Sequence, residues 1–172
     1  MIAERDEAAI AAQLGRAPRG LLGVAHRCPC GRPDVAETAP RLPDGTPFPT
    51  LYYLTCPRAA AAVSQLEAAG LMREMTARLS DDELRRRYEA AHLDYLARRD
   101  AAARDAGVEP LPSGTQSAGG MPARVKCLHA LVAHELAADG VNPFGREALD
   151  AVGAWWLAGP CVTADVPAED EP

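Results

Sequence analysis

A chain of 172 residues falls in the ordinary single-domain range and can bury a core without a disulfide or metal staple. Its apolar fraction is 48% but its aromatic fraction only 5%, so the core must come mostly from Ala, Leu and Val, the composition of closely packed helices. A net charge of −6 excludes general affinity for nucleic acid, which needs a basic surface that releases counterions.

No apolar run approaches the roughly 20 residues that span a bilayer. Met1 leads into Glu4, Arg5, Asp6 and Glu7 rather than a targeting segment. The expectation is a cytoplasmic protein with no membrane partner. Five cysteines in a chain this long do not fit a disulfide framework, so the thiols call for another explanation.

Ile10 and Leu14 stand one turn apart with Gly15 to follow, which predicts a short helix from about Ala3 to Leu14. Alternation through Leu22, Val24 and His26 predicts a strand, and Cys28-Pro29-Cys30-Gly31-Arg32-Pro33 is too rich in Pro and Gly to continue it. A turn there leads to a second strand near Val35. Pro40 to Pro49 reads as an extended connection before a third strand at Leu51 to Leu54.

Thr55-Cys56-Pro57 marks a helix start, since proline suits the first helical position, and that helix runs through Val63 and Leu66 to Gly70. Ser80-Asp81-Asp82-Glu83 reads as a capping box opening a long helix to about Ala106, with Leu84, Tyr88, His92, Tyr95 and Leu96 facing inward. His92, placed mid-helix between Tyr88 and Tyr95, is a structural histidine on this reading. Gly107 to Pro122 is a loop of a length that is often functional or mobile.

A further helix is expected from near Ala123 to about Ala138, with Leu128, Leu131, Val132 and Leu136 as its apolar stripe. Asn142-Pro143 starts another element, and Trp155 and Trp156 close the folded part. Residues 1–160 are expected to form one helix-dominated α+β domain with a small sheet in its N-terminal third. Residues 161–172 lack large apolar side chains and are expected to be a disordered acidic tail.

The candidate metal ligands are Cys28 and Cys30 after the first strand, Cys56 at a helix start, and Cys127, His129 and His134 near the next helix start. Thiolate and imidazole suit zinc, and an iron–sulfur cluster is the alternative because it also takes several thiolates. Cys127 and His134 stand seven residues apart, about 10 Å along a helix, which is too far for one ion. Cys127 and His129 converge only where regular helix has not begun. The reading is therefore a single zinc held by Cys28, Cys56, Cys127 and His129. Cys30 is the competing fourth ligand, and His26 an alternative ligand or a partner of one. Cys161 is read as packing or tail, without a partner at ligand spacing.

Gly119-Gly120 followed by Arg124 and Lys126 at a helix start is a candidate anion site, because free backbone N–H groups and basic side chains there suit phosphate or carboxylate. Arg27, Arg32 and Arg58 flank the cysteine segments. Cys56 and Cys127, both near helix starts, are also candidate nucleophiles.

The motifs His26-Arg27-Cys28-Pro29, Pro47-Phe48-Pro49-Thr50, Leu54-Thr55-Cys56-Pro57, Gly119-Gly120-Met121, Lys126-Cys127-Leu128-His129 and Asn142-Pro143 together resemble the bacterial family called domain of unknown function 501, frequent in actinobacteria. The likeness covers nearly the whole folded chain. It implies no established activity, and only a housekeeping role suggested by family neighbours such as enolase, a septum-formation protein and an exopolyphosphatase-like enzyme.

Three functions stay open on this reading. The first is a zinc-binding protein. The second is a metal- or cysteine-dependent enzyme acting on a phosphorylated or carboxylated small molecule, and the third an interaction module linked to cell division or polyphosphate metabolism.

Overall fold

The computed structural model describes residues 2–162. In chain order the elements are α1 (Glu4–Leu14), β1 (Leu21–Arg27), β2 (Pro33–Thr38), β3 (Tyr52–Leu54), α2 (Pro57–Ala68), α3 (Leu71–Ala77), α4 (Asp82–Asp105), α5 (Leu128–Ala138) and α6 (Pro143–Val152). Short 3₁₀ turns occupy Arg78–Ser80 and Trp155–Ala158. This is the helix-dominated α+β arrangement that composition and periodicity predicted. The tail expected at residues 161–172 lies, from Thr163 on, outside the described residues.

The sheet is antiparallel with order β1-β2-β3. Val35 at its centre pairs with His26 on one side and Leu54 on the other. Because β1 and β3 both run against β2, their C-terminal ends finish on the same edge of the sheet. Cys28 and Cys56, each two residues beyond those paired positions, are delivered to that edge. Arg27 anchors α1 to β1 through a two-pronged contact with Asp6 at 2.9 and 2.6 Å.

Helix α5 packs against β3, α2 and α6, and its inward residues Leu128, Leu131 and Val132 are fully buried. Gly145 lets α6 approach it closely: a Cβ there would overlap the Leu131 carbonyl oxygen and sit 2.8 Å from the Glu135 Cβ. Helix α4 contributes Tyr88 and Tyr95, whose rings stand edge-on to Phe144 at 4.9 Å and Tyr52 at 5.9 Å. Buried His134 packs against Tyr95 and Tyr52, with ring centroids 5.2 and 6.3 Å away. Its Nε2–H donates to Asp94 at 2.9 Å, and its Nδ1 accepts from the Asn142 amide at 3.3 Å, which fixes the neutral tautomer.

Three boundaries differ from the sequence reading. Helix α5 starts at Leu128 rather than near Ala123, because the segment after Gly119-Gly120 loops back on itself, the Gly120 carbonyl accepting the Arg124 amide at 3.1 Å and the Gly119 carbonyl the Lys126 amide at 2.7 Å. The cap of α4 is Asp81, which accepts from the Leu84 amide at 2.8 Å, and not Ser80, whose hydroxyl donates back to the Ala77 carbonyl. Helix α3 went unread in the sequence; its Met75 is fully buried.

Candidate functional site

The sulfur atoms of Cys28, Cys30 and Cys161 all lie within 4.8 Å of one another. Cys56 stands at the margin of this group, its Sγ 2.8 Å from that of Cys161, and no disulfide is formed. Two sulfurs bound to one zinc, at about 2.3 Å each, stand roughly 3.8 Å apart. The Cys28, Cys30 and Cys161 separations are of that order, whereas the Cys56 and Cys161 sulfurs, at 2.8 Å, would move about 1 Å apart to share an ion.

Local folding explains each position. Cys28 begins the β1–β2 turn, where its amide donates to the Arg32 carbonyl at 2.9 Å and its carbonyl accepts from Gly31 at 2.8 Å, so the chain curls Cys30 back over Cys28. Cys56 is the N-cap of α2, and its sulfur accepts from the Ala59 amide at 3.5 Å. Cys161 arrives because the Trp155–Ala158 turn packs on α2, and Gly159 fits beneath the Arg58 guanidinium, where a Cβ would meet Nη2 at 2.7 Å. The expectation that Cys161 has no partner is thus corrected: it is 1% exposed and faces the other three thiols.

Burial pushes the Cys28 and Cys161 thiols up from their ordinary range. Cys30 is exposed and only partly desolvated by its neighbours, and the Arg32 and Cys161 backbone amides together with the neighbouring thiols outweigh that effect and hold it low. Cys30 is therefore held more readily ionised than Cys28 and Cys161 beside it. His26 is not part of the group; its Nδ1 lies 2.8 Å from Oδ1 of fully buried Asp34, and this partner raises its pKa.

The set Cys28, Cys56, Cys127 and His129 does not converge. Cys127 and His129 meet Glu67 instead, in a second, half-buried group. The reason is the length of α2. Glu67 lies eleven residues beyond Cys56, roughly 16 Å at about 1.5 Å per residue, so its two ends present different sites. Ala60, Ser64 and Glu67 share one face of α2, and His129 lies across it, 3.1 Å from the Ala60 carbonyl, 3.2 Å from Ser64 Oγ and 3.1 Å from Glu67 Oε1. Glu67 also accepts the Leu128 amide at 2.7 Å, capping α5 from outside. The sequence reading missed Glu67, although its i, i+4, i+7 spacing with Ala60 and Ser64 marks a common face.

Cys127 and His129 border a cleft of about 930 Å³ between β3, α4, the 114–124 segment and the start of α5. The long loop forming its wall is pinned throughout. Ser117 Oγ meets His92 Nδ1 at 2.7 Å, buried Arg99 donates to the carbonyls of Gln116 and Pro49 at 2.8 and 3.1 Å, and Tyr88 donates to the Arg124 carbonyl at 3.0 Å. His92 is consequently a cleft residue as well as a structural one, and burial lowers its pKa. Gly119 and Gly120, taken from sequence as phosphate-binding, are required by packing: both have positive φ, and a Cβ on Gly119 would strike Leu131 at 2.5 Å. Arg124 and Lys126 also line the cleft, but they precede α5 instead of forming its first turn.

The family model described as Protein of unknown function (DUF501) matches residues 24–150, and the chain belongs to that family. No curated protein and no solved structure matches it. Cys28, Cys30 and Cys56 lie within the matched span and Cys161 beyond it. Among the described residues no helix is long and apolar enough to cross a membrane.

Proposed function

We propose that the protein binds one zinc ion through Cys28, Cys30, Cys56 and Cys161, and that the ion clamps the segment around Cys161 to the sheet edge and the start of α2. The observation that carries this is the approach of three sulfurs from two distant segments, Cys28 and Cys30 with Cys161, to within 4.8 Å, with the Cys56 sulfur 2.8 Å from that of Cys161. A site closed by four protein thiolates leaves no open position for substrate, so its role is structural rather than catalytic. Free thiols in this number also fit a reducing compartment such as the cytoplasm.

Elemental analysis of protein purified without added metal tests the proposal, with about one zinc per chain expected. Metal-free protein that is fully folded overturns it. A visible absorption band after anaerobic purification replaces zinc by an iron–sulfur cluster on the same four thiols, since zinc is spectroscopically silent.

A further inference from the structure

In a chain of net charge −6, the 930 Å³ cleft is lined by no Asp or Glu, while two cations, Arg124 and Lys126, and two imidazoles, His92 and His129, border it. Many other arginines are committed: Arg27, Arg78, Arg85, Arg86, Arg98 and Arg146 each pair with a carboxylate. The side chains of Arg124 and Lys126 are exposed and have no ion-pair partner among the described residues. Arg124 also borders a shallower depression shared with Glu67 and Arg73, which leaves Lys126 as the cation given wholly to the cleft.

Lys126 is the only lysine in the sequence; the other 17 of its 18 Lys and Arg residues are arginine. Where this chain needs a surface cation it uses arginine, so a lysine at the cleft points to a need for a compact ammonium rather than a planar fork. A compact ammonium serves as a point charge for phosphate oxygens. Two unneutralised positive charges match a phosphate group, which carries about −1.5 to −2 at neutral pH, better than they match a single carboxylate. The cleft volume falls in the range of about 300–1,000 Å³ typical of small-molecule sites, with Tyr53, Leu54 and Leu96 as an apolar wall for the rest of a ligand. Two cations are too few for a nucleic-acid track, whose affinity grows with the number of phosphates neutralised.

We infer that the cleft binds a small phosphorylated molecule, its phosphate held between Lys126 and Arg124. The inference is independent of the zinc cluster. Calorimetric titration of the full chain with inorganic pyrophosphate, and separately with malonate, tests it, together with Lys126→Ala, Arg124→Ala and, as a remote charge control, Arg146→Ala.

Pyrophosphate should bind the wild type, weaken about tenfold or more in Lys126→Ala and clearly in Arg124→Ala, and be unchanged in Arg146→Ala. Zinc content should be the same in all four proteins. The inference is overturned by no pyrophosphate binding in the wild type, by equal weakening in Arg146→Ala, or by malonate binding as tightly as pyrophosphate. Lys126→Arg keeps the charge on a side chain long enough to reach the same place, so reduced pyrophosphate affinity in that folded variant supports the ammonium, and full affinity overturns its specific role.

Discussion

Cys56 and Cys161, 105 residues apart in the chain, bring their sulfur atoms to 2.8 Å. One caps the start of α2, and the other follows a 3₁₀ turn that packs against the same helix. A metal shared between them ties the last described residues to the centre of the fold, and its removal should be felt as lost stability. At free zinc a thousandfold above Kd, a bound ion contributes about 4 kcal/mol. For a chain of this length each kcal/mol corresponds to about 2–4 °C in Tm, so chelation should lower Tm by roughly 8–16 °C. Cys161→Ser should lose both the metal and its share of the Tm, whereas Cys127→Ser should keep both. Equal metal content in the two variants would sink the four-thiol assignment.

His134 makes stability depend on pH. Burial lowers its pKa from 6.5, and Asp94, Arg98 and Glu135 are the charged groups around it. The folded state therefore resists a proton that the unfolded chain accepts below about pH 6.5. The unfolded state binds more protons there, so the contribution is complete above that pH and declines as the pH falls below it. A single such group sets a slope of at most about 1.4 kcal/mol per pH unit. His26 has a raised pKa and acts in the opposite direction, but it does so equally in wild type and in a His134→Gln variant. Urea unfolding at pH 7.5 and 5.5 should show the wild type losing more stability than His134→Gln. Parallel losses would refute the argument.

The fold was legible where one local signal decided it. Pro57 after Cys56 and Pro143 after Asn142 opened helices as read, because a fixed φ and a missing N–H matter only to the first turn. Alternation at Leu22, Val24 and His26 placed the strand whose end carries Cys28. The site was less legible because it depends on where separate elements end up. Cys28 and Cys56 reach the same sheet edge through the pairing of β1 and β3 with the same strand, which a small antiparallel sheet implies. Cys161 joins them only through the packing of Trp155–Ala158 on α2, for which no spacing in the sequence gives a sign. Cys127 and His129 meet Glu67 instead of Cys28 and Cys56, because α5 packs across the far end of α2, and that docking is a tertiary contact which no local spacing shows.

The start of α4 separates two neighbouring polar residues by function. Asp81 accepts from the Leu84 amide at 2.8 Å, while Ser80 Oγ donates to the Ala77 carbonyl at 3.2 Å. Asp81→Ala should cost about 1 kcal/mol, the usual value of an N-cap, or roughly 2–4 °C in Tm. Ser80→Ala, in which no helix donor is orphaned, should change Tm by less than half as much. The reverse order would restore Ser80 as the cap.

Thiol accessibility distinguishes the two cysteine sites without mutation. Cys30 is exposed, Cys127 half-buried, and Cys28, Cys56 and Cys161 are buried. On exposure alone, and because its pKa is held low, Cys30 should react with iodoacetamide before any other thiol. A zinc ion reverses that order, since its sulfur electrons are then committed to the metal, while Cys127 at the cleft stays free. Peptide mass spectrometry after brief alkylation should therefore find Cys127 modified first in the protein as purified, and Cys30 first after treatment with a chelator. Protein that is labelled at Cys30 ahead of Cys127 both with and without chelator holds no metal on that thiol, and the cluster would then be a packed group of cysteines.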